Sequence, residues 1–367
     1  MSAEHGIIKY IRKELLSFGA YSAAVLPDAL TAKTGEAYQG YIKIDQNENL
    51  FGPSPRVNRV LSKYGNFNIY PDAEQIALRQ ELAKYTGVGP ESIVAANGSN
   101  QLLDIITRLF IGAGDGVINC VPTFDLYRFS TQICGGKLVE VQRDEDFAIN
   151  VEAIKSTINR KTKLIFLANP NAPTGNLTPQ KDILEILELG LPTVVDEAYY
   201  EFSGVTVVPL MKKYRNLMVV RTFSKWAGLA GLRVGYGLFP PEIAEYLHRI
   251  KIPYNVNVAA LLAVRESMAD LNYLMDRVRL IVAERERLFA RLKEISWLKP
   301  YPSQANFILC LLKRGNAREL QQKLRERNIL VRYFDKPRLE NCIRLSVGKP
   351  EHTEIVIKVL CEIGSKW

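Results

Sequence analysis

The sequence predicts an α/β protein, a mostly parallel sheet covered by helices with a smaller α+β lobe behind it. Three observations point that way. Between about Ser92 and Phe239, short β-rich runs alternate with helical patterns, the order that a parallel sheet with crossover helices requires. Those runs are nearly continuous in apolar character, as strands covered on both faces should be. Beyond Pro253 the alternation stops, and a long helical pattern leads into two further apolar runs.

Taken in order, residues 1 to about 40 read as an arm, with a short amphipathic helix at Ile7–Phe18 before a loop holding Pro27, Gly35 and Gly40. Strands are expected at Val117–Val121, Leu138–Val141, Leu164–Ala168, Thr193–Val195, Leu217–Val220 and Tyr236–Phe239. Helical spacing then runs from Val258 to about Glu294, and strands near Asn306–Leu312 and Cys342–Val347 flank a helix at Ala317–Arg327. The implied division is an arm (1–45), a large ligand-binding domain (46–253) and a small C-terminal domain (254–367). In such sheets ligands sit at the carboxyl ends of the strands.

At 367 residues the chain is long enough for two or three lobes. With 47% apolar and 24% charged residues it has an ordinary globular balance. No apolar run approaches membrane-spanning length, since Ile186 to Val195 is broken by Glu188, Gly190 and Pro192. The start, Met-Ser-Ala-Glu-His-Gly, lacks the order of a secretory signal, and five scattered cysteines favour a reducing compartment, so a cytoplasmic protein is expected. A net charge of +9 raises the question of nucleic acid. The densest cationic stretch, Arg277 to Lys293, nonetheless carries Glu284 and Glu286 and reads as a solvated helix face. Anionic small molecules are the better match for the charge, and no metal site is read.

The chemistry gathers at strand ends. Thr222-Phe-Ser-Lys225 follows the run Leu217–Val220, and Arg233 lies eight positions beyond the lysine. A lysine at the mouth of a buried sheet beside a second cation should have a depressed pKa and act as a nucleophilic amine. Flanking hydroxyls and a guanidinium suit a phosphate, which describes a Schiff-base lysine beside the phosphate of pyridoxal phosphate. Asn97-Gly-Ser99-Asn100 opens a helix and could bind an anion on its free N–H groups, or be an ordinary cap. Asp196, closing the strand Thr193–Val195, could pair with a protonated pyridine nitrogen or cap the next helix, and Tyr199 could reach the ring's phenolic oxygen. Phe124 either stacks on a flat cofactor or packs in the core. Asn169-Pro-Asn-Ala-Pro-Thr-Gly175 is a rigid turn compatible with a cis Ala172–Pro173 bond. Tyr70 lies in a loop from which a neighbouring subunit could be reached. Arg332 and Arg344 are candidates for a substrate clamp, with an exposed edge residue and a structural ion pair as the competing accounts.

In this order the residues resemble the fold-type-I pyridoxal-phosphate aminotransferases, and within them the histidinol-phosphate aminotransferase family. The likeness rests on Asn47-Glu-Asn with Gly-Pro-Ser-Pro55, on Asp196-Glu-Ala-Tyr-Tyr-Glu-Phe202, and on Thr222-Phe-Ser-Lys with Gly-Leu-Ala-Gly-Leu-Arg-Val-Gly. It implies a seven-stranded large-domain sheet and a homodimer with shared sites. Lys225 is then the Schiff-base lysine and general base, Asp196 the pyridinium partner, and Tyr199 the donor to the 3′-oxygen. Ser99, Asn100, Thr222, Ser224 and Arg233 hold the phosphate, joined by Tyr70 from the other subunit, and Phe124 covers the ring. Arg344, helped by Arg332, takes substrate oxyanions, and Tyr21 of the arm approaches the substrate. The implied reaction exchanges amino groups between L-histidinol phosphate and 2-oxoglutarate. Decarboxylation of a phosphorylated amino acid and aromatic transamination would use the same residues. A non-catalytic binding protein would have no need of Lys225, Asp196 and Arg233 together. One departure stands out: Ala172 occupies the position before Pro-Thr-Gly where the family commonly has an asparagine bonded to the cofactor's 3′-oxygen.

Overall fold

A computed structural model describes residues 6–16, 18–19, 40–365 and 367. Strand β1 (Ile42–Ile44) belongs to the smaller of two sheets. The larger is built from β2 (Ile93–Ala96), β3 (Gly116–Val121), β4 (Lys137–Gln142), β5 (Thr162–Ala168), β6 (Thr193–Asp196), β7 (Leu217–Thr222) and β8 (Gly235–Leu238), in the order β2-β8-β7-β6-β5-β3-β4. Neighbours from β7 to β4 run parallel, and β8 is antiparallel to both β2 and β7. Every residue of β6 and β7 is buried, which is why the sequence there is apolar without alternation.

All six expected strands of this sheet form; β2 was not anticipated. It reads Ile-Val-Ala-Ala, too short and too alanine-rich to announce a strand. The smaller sheet, ordered β1-β11-β12-β10-β9, contains β9 (Leu298–Pro300), β10 (Phe307–Leu312), β11 (Ile329–Tyr333) and β12 (Cys342–Ser346). Here β10, β12 and the helix Ala317–Arg325 were expected, whereas β1, β9 and β11 are short or carry charge mid-run. β1 pairs in parallel with β11, so the chain's beginning is stitched to its end.

Two helical expectations need correction. The stretch from Val258 to Glu294 is two helices, Val258–Ala269 and Leu271–Lys293, parted at Asp270. The Asp270 carboxylate is bonded by the hydroxyl of Ser54, a partner from far back in the chain that pins the break. Near the N-terminus the expected helix Ile7–Phe18 is replaced by a 3₁₀ turn, Ile7–Tyr10, and a single α turn, Lys13–Leu16. None of Ile7–Tyr10 is buried, and short helices without packing are marginal.

Candidate active site

Register across the large sheet brings the site together. Ala96 pairs with Gly235 and Gly235 with Thr222, while Val220 pairs with Asp196 and Asp196 with Ala168. The turns after β2, β5, β6 and β7 therefore open along one edge, into a cleft of about 1650 Å³ that the rim of the smaller sheet also lines.

At one end of the cleft stands the helix Ser99–Phe110, whose N-cap Gly98 makes no side-chain cap bond. Its first N–H groups are thus left for an anion. Gly98 has φ of 79°, and a Cβ there would come within 2.5 Å of Arg233 Nη2. On Gly235 a Cβ would strike the Ser99 amide. Gly98 thus lets the guanidinium, and Gly235 lets strand β8, lie against the helix start. Arg233 itself takes a left-handed φ of 56°, with Nη1 donating to the Ala230 carbonyl at 2.9 Å and reaching Ser224 Oγ at 3.4 Å. The Ser224 amide donates to Thr222 Oγ1 at 3.1 Å, which folds the turn that presents Lys225. Trp226, fully buried beneath that turn, stacks on Tyr85 at 5.9 Å. Truncating such a buried ring typically costs about 3–5 kcal/mol, so the lysine's footing is firm.

Lys225 Nζ donates to the Gln46 carbonyl at 2.8 Å. Burial first, and then the Arg344 guanidinium, bring its ammonium down to about 8. The sequence pointed to Arg233 as the neighbouring cation, but Arg344 of the smaller sheet acts more strongly. Asp196 lies across the cleft, accepting from Tyr127 Oη at 2.9 Å and from the Ala198 amide at 3.1 Å. Burial pushes its carboxyl up to about 6 despite those bonds. A cation at this place would relieve the cost of the buried charge. Asp196 thus both closes a local turn on the Ala198 amide and presents a carboxylate to the cleft; it does not cap the helix Tyr200–Ser203, whose N-cap is Tyr199. Phe124 lines the cleft half-buried, edge-on to Tyr127 at 5.7 Å.

On the opposite rim, Arg332 and Arg344 are direct partners in the β11/β12 register. Like charges directly opposite are unfavourable unless an anion lies between them. Arg344 Nη2 donates to the Asp45 carbonyl at 2.9 Å, and its guanidinium lies over Phe307 and Phe334 at 5.1 and 5.5 Å.

The structure thus gathers Ser99, Asn100, Phe124, Asp196, Tyr199, Thr222, Ser224, Lys225, Arg233, Arg332 and Arg344 around one cleft. Tyr70 stands apart, exposed and stacked on Tyr254 at 4.7 Å. Tyr21 lies outside the described residues. Ala172 lines the cleft, and neither nearby asparagine does. Asn171 is spent on Pro122, Thr123 and Thr174, and Asn169 Oδ1 accepts from the Thr178 amide. Two cleft residues were not given roles from the sequence. Tyr127 sits three positions after Phe124, one helical turn on, a spacing that could have flagged it. Asn47 stands out in the sequence only as part of a motif, and its bond to Tyr199, 152 positions away, has no local signal.

These features fit pyridoxal phosphate: an anion cup at Ser99 and Arg233, an amine of lowered pKa, and a buried carboxylate in want of a cation. The comparisons agree. The model of the family described as aminotransferase class I and II matches residues 39–362. A histidinol-phosphate aminotransferase of Dehalococcoides mccartyi is 54% identical over 98% of this chain and 99% of its own. One of Roseiflexus castenholzii is 41% identical over 96% of this chain and 98% of its own. The crystal structure of the Sinorhizobium meliloti histidinol-phosphate aminotransferase in complex with pyridoxal-5′-phosphate superposes with a TM-score of 0.86 at 28% identity, covering 96% of this chain and 97% of that one. The chain belongs to the class I and II aminotransferases and, among them, to the histidinol-phosphate aminotransferase family.

Proposed function

We propose that this protein is a pyridoxal-phosphate-dependent aminotransferase that moves the amino group of L-histidinol phosphate to 2-oxoglutarate. The observation that carries the reading is the placement of two oxyanion sites in one cleft. One lies at Ser99 and Arg233, and the other at the paired Arg332 and Arg344, with Lys225 and Asp196 lining the same cleft. When bound, the cofactor supplies an aldehyde for amines and a ring that withdraws electrons. The chain's residues do the rest. Ser99 and Asn100 with Thr222, Ser224 and Arg233 hold the phosphate, Phe124 covers the ring, and Asp196 holds the proton on the ring nitrogen. Tyr199 donates to the 3′-oxygen, and Lys225 Nζ carries the proton between substrate carbon and cofactor. Tyr21 of the arm approaches the substrate. Formation of glutamate from 2-oxoglutarate with L-histidinol phosphate as donor, without release of carbon dioxide, is the test. Glutamate formed only with unphosphorylated aromatic donors would overturn the substrate assignment.

Histidinol phosphate has no carboxylate and glutamate has two, so one clamp meets a phosphate and a carboxylate in turn. A guanidinium bonds either bidentately, which an ammonium does not. Arg344→Lys is expected to lower kcat/KM with both substrates by roughly a hundredfold or more, and Arg332→Ala to raise KM mainly for the phosphorylated one. Steady-state kinetics with each substrate varied in turn check both.

The assembly we infer is a homodimer of cytoplasmic chains, each an arm, a large domain (46–253) and a small domain (254–367). Five unpaired cysteines suit the reducing compartment. Support for the dimer comes from exposed Phe67, Ile69, Tyr70 and Ile252, an apolar surface beside the loop that carries Tyr70. We assign Tyr70 to the neighbour's phosphate cup. Tyr70→Phe should weaken cofactor binding about tenfold or more. In hybrids with Lys225→Ala subunits both defects fall in one site, so the other should bind and turn over like wild type. Hybrids no better than the Tyr70→Phe homodimer would show that the sites are not shared.

A further inference from the structure

Ala172 leaves the cofactor's 3′-oxygen without the asparagine that the family commonly provides, so the hydrogen bond from Tyr199 carries more weight. What fixes the direction of that bond is visible in the side chains behind it. The backbone N–H of Asn47 donates to Ser346 Oγ at 2.8 Å. Having accepted there, the hydroxyl of Ser346 directs its own proton to Asn47 Oδ1, 3.0 Å away. An amide whose oxygen is engaged in this way must turn its nitrogen to the other side. There Asn47 Nδ2 donates to Tyr199 Oη at 2.9 Å. The phenol is the acceptor in that bond, so its single proton is directed to a different partner.

Asn47 is held for this task by two neighbours and by its own backbone. Besides Ser346, Asn306 Nδ2 donates to its backbone carbonyl at 3.0 Å. Its φ of 56° lies in the left-handed region, which asparagine tolerates better than other side chains. Its side chain is almost wholly inaccessible, at 1% exposure, so water does not compete for the amide. The phenol ring is fixed as well, edge-on to Phe307 at 5.2 Å.

We propose that Asn47 is a positioning residue that sets the hydrogen-bond polarity of Tyr199, holding the phenol as a donor toward the cofactor's 3′-oxygen. The role rests on the cofactor assignment above but not on the identity of the substrate. Asn47 lies beside β1, and Ser346 ends β12, two residues from Arg344. The smaller sheet thereby orients a group that touches the cofactor ring as well as the substrate's oxyanion.

The test uses holoenzyme and follows the absorbance of the bound cofactor against pH. A donor at the 3′-oxygen favours its deprotonated form, so losing the donor moves the colour change to higher pH. Asn47→Asp keeps the size and the tolerance of positive φ, but its carboxylate accepts the phenol's proton instead of donating to the oxygen. The midpoint is expected to move alkaline by roughly tenfold in proton concentration, and kcat to fall about tenfold, with cofactor still bound. Ser346→Ala, which frees the amide to turn over, should move the midpoint the same way by less. In a Tyr199→Phe background Asn47→Asp should move the midpoint far less, by the charge of the new carboxylate alone. Asp196, Lys225, Tyr127 and Arg344 share the cleft and are present in every variant, so the double comparison cancels their charges. An unmoved midpoint in Asn47→Asp, or the same displacement with and without the Tyr199 hydroxyl, overturns the proposal. Should Asn47→Asp fail to hold cofactor, an unmoved midpoint in Ser346→Ala overturns it equally. Normal midpoint behaviour without transamination of L-histidinol phosphate would instead retire the substrate reading and leave Asn47's role standing.

Discussion

Lys225→Ala is expected to abolish turnover, with a loss of about 10⁴-fold or more, because covalent attachment and proton transfer vanish together. The geometry gives the reason for expecting the attachment at Lys225. Lys225 leaves the sheet at the end of β7 on a turn held by Thr222 and Ser224, with Trp226 buried beneath it. Its amine, brought down to about 8, is appreciably neutral near physiological pH, whereas an ordinary lysine is almost wholly charged. The sign follows directly: recombination of cofactor with cofactor-free protein should speed up as pH rises through about 8 and level off above it. Borohydride reduction of the holoenzyme followed by peptide mapping identifies the residue. A pyridoxyl label on a lysine other than Lys225 would refute the assignment.

Asp196→Asn is expected to keep cofactor in place yet lose a hundredfold or more in kcat, a penalty of several kcal/mol in transition-state stabilisation. The amide fills the same volume and can still accept from Tyr127, so the fold has little to lose. What disappears is the negative charge proposed to hold a proton on the ring nitrogen. The wild-type carboxylate is costly to bury, as its rise to about 6 records, and a positive ring nitrogen offsets that cost. Cofactor content by absorbance and kcat by glutamate formation separate the two effects. Turnover close to wild type would reduce Asp196 to a residue that closes the turn at Ala198.

How much of this was legible beforehand depended on distance along the chain. Asp196, Thr222, Ser224 and Lys225 sit at the ends of apolar runs, where a strand's periodicity and the rule for carboxyl ends locate them together. Helix starts such as Gly98–Ser99 carry local chemistry too. The contacts that remained hidden join distant segments. Arg344 acting on Lys225, Asn47 on Tyr199 and Arg332 facing Arg344 are products of the smaller sheet's register, which short strands such as β1 and β9 do not advertise. The break at Asp270 has the same origin, since its partner Ser54 lies on another helix's start. Local pattern located the strand-end groups that line the cleft, and tertiary pairing decided what those groups feel.

The parallel pairing of β1 with β11 has a consequence for the order in which the molecule is made. The large sheet spans Ile93 to Leu238 and has all its strands while the C-terminal third is still on the ribosome. Asn47 and Ser346 are 299 positions apart, an interval of roughly 15–60 s at about 5–20 residues per second. For that time the segment around Asn47 has been synthesised and has no β11 or β12 to join. Closing so long a span adds only a slowly growing entropic cost, but it sets a strict sequence in time. The nascent chain therefore completes the cup at Ser99 and Arg233 well before Asn47 is anchored and Arg344 exists. On the proposed roles, the capacity to hold a phosphate is born ahead of the capacity to choose a substrate.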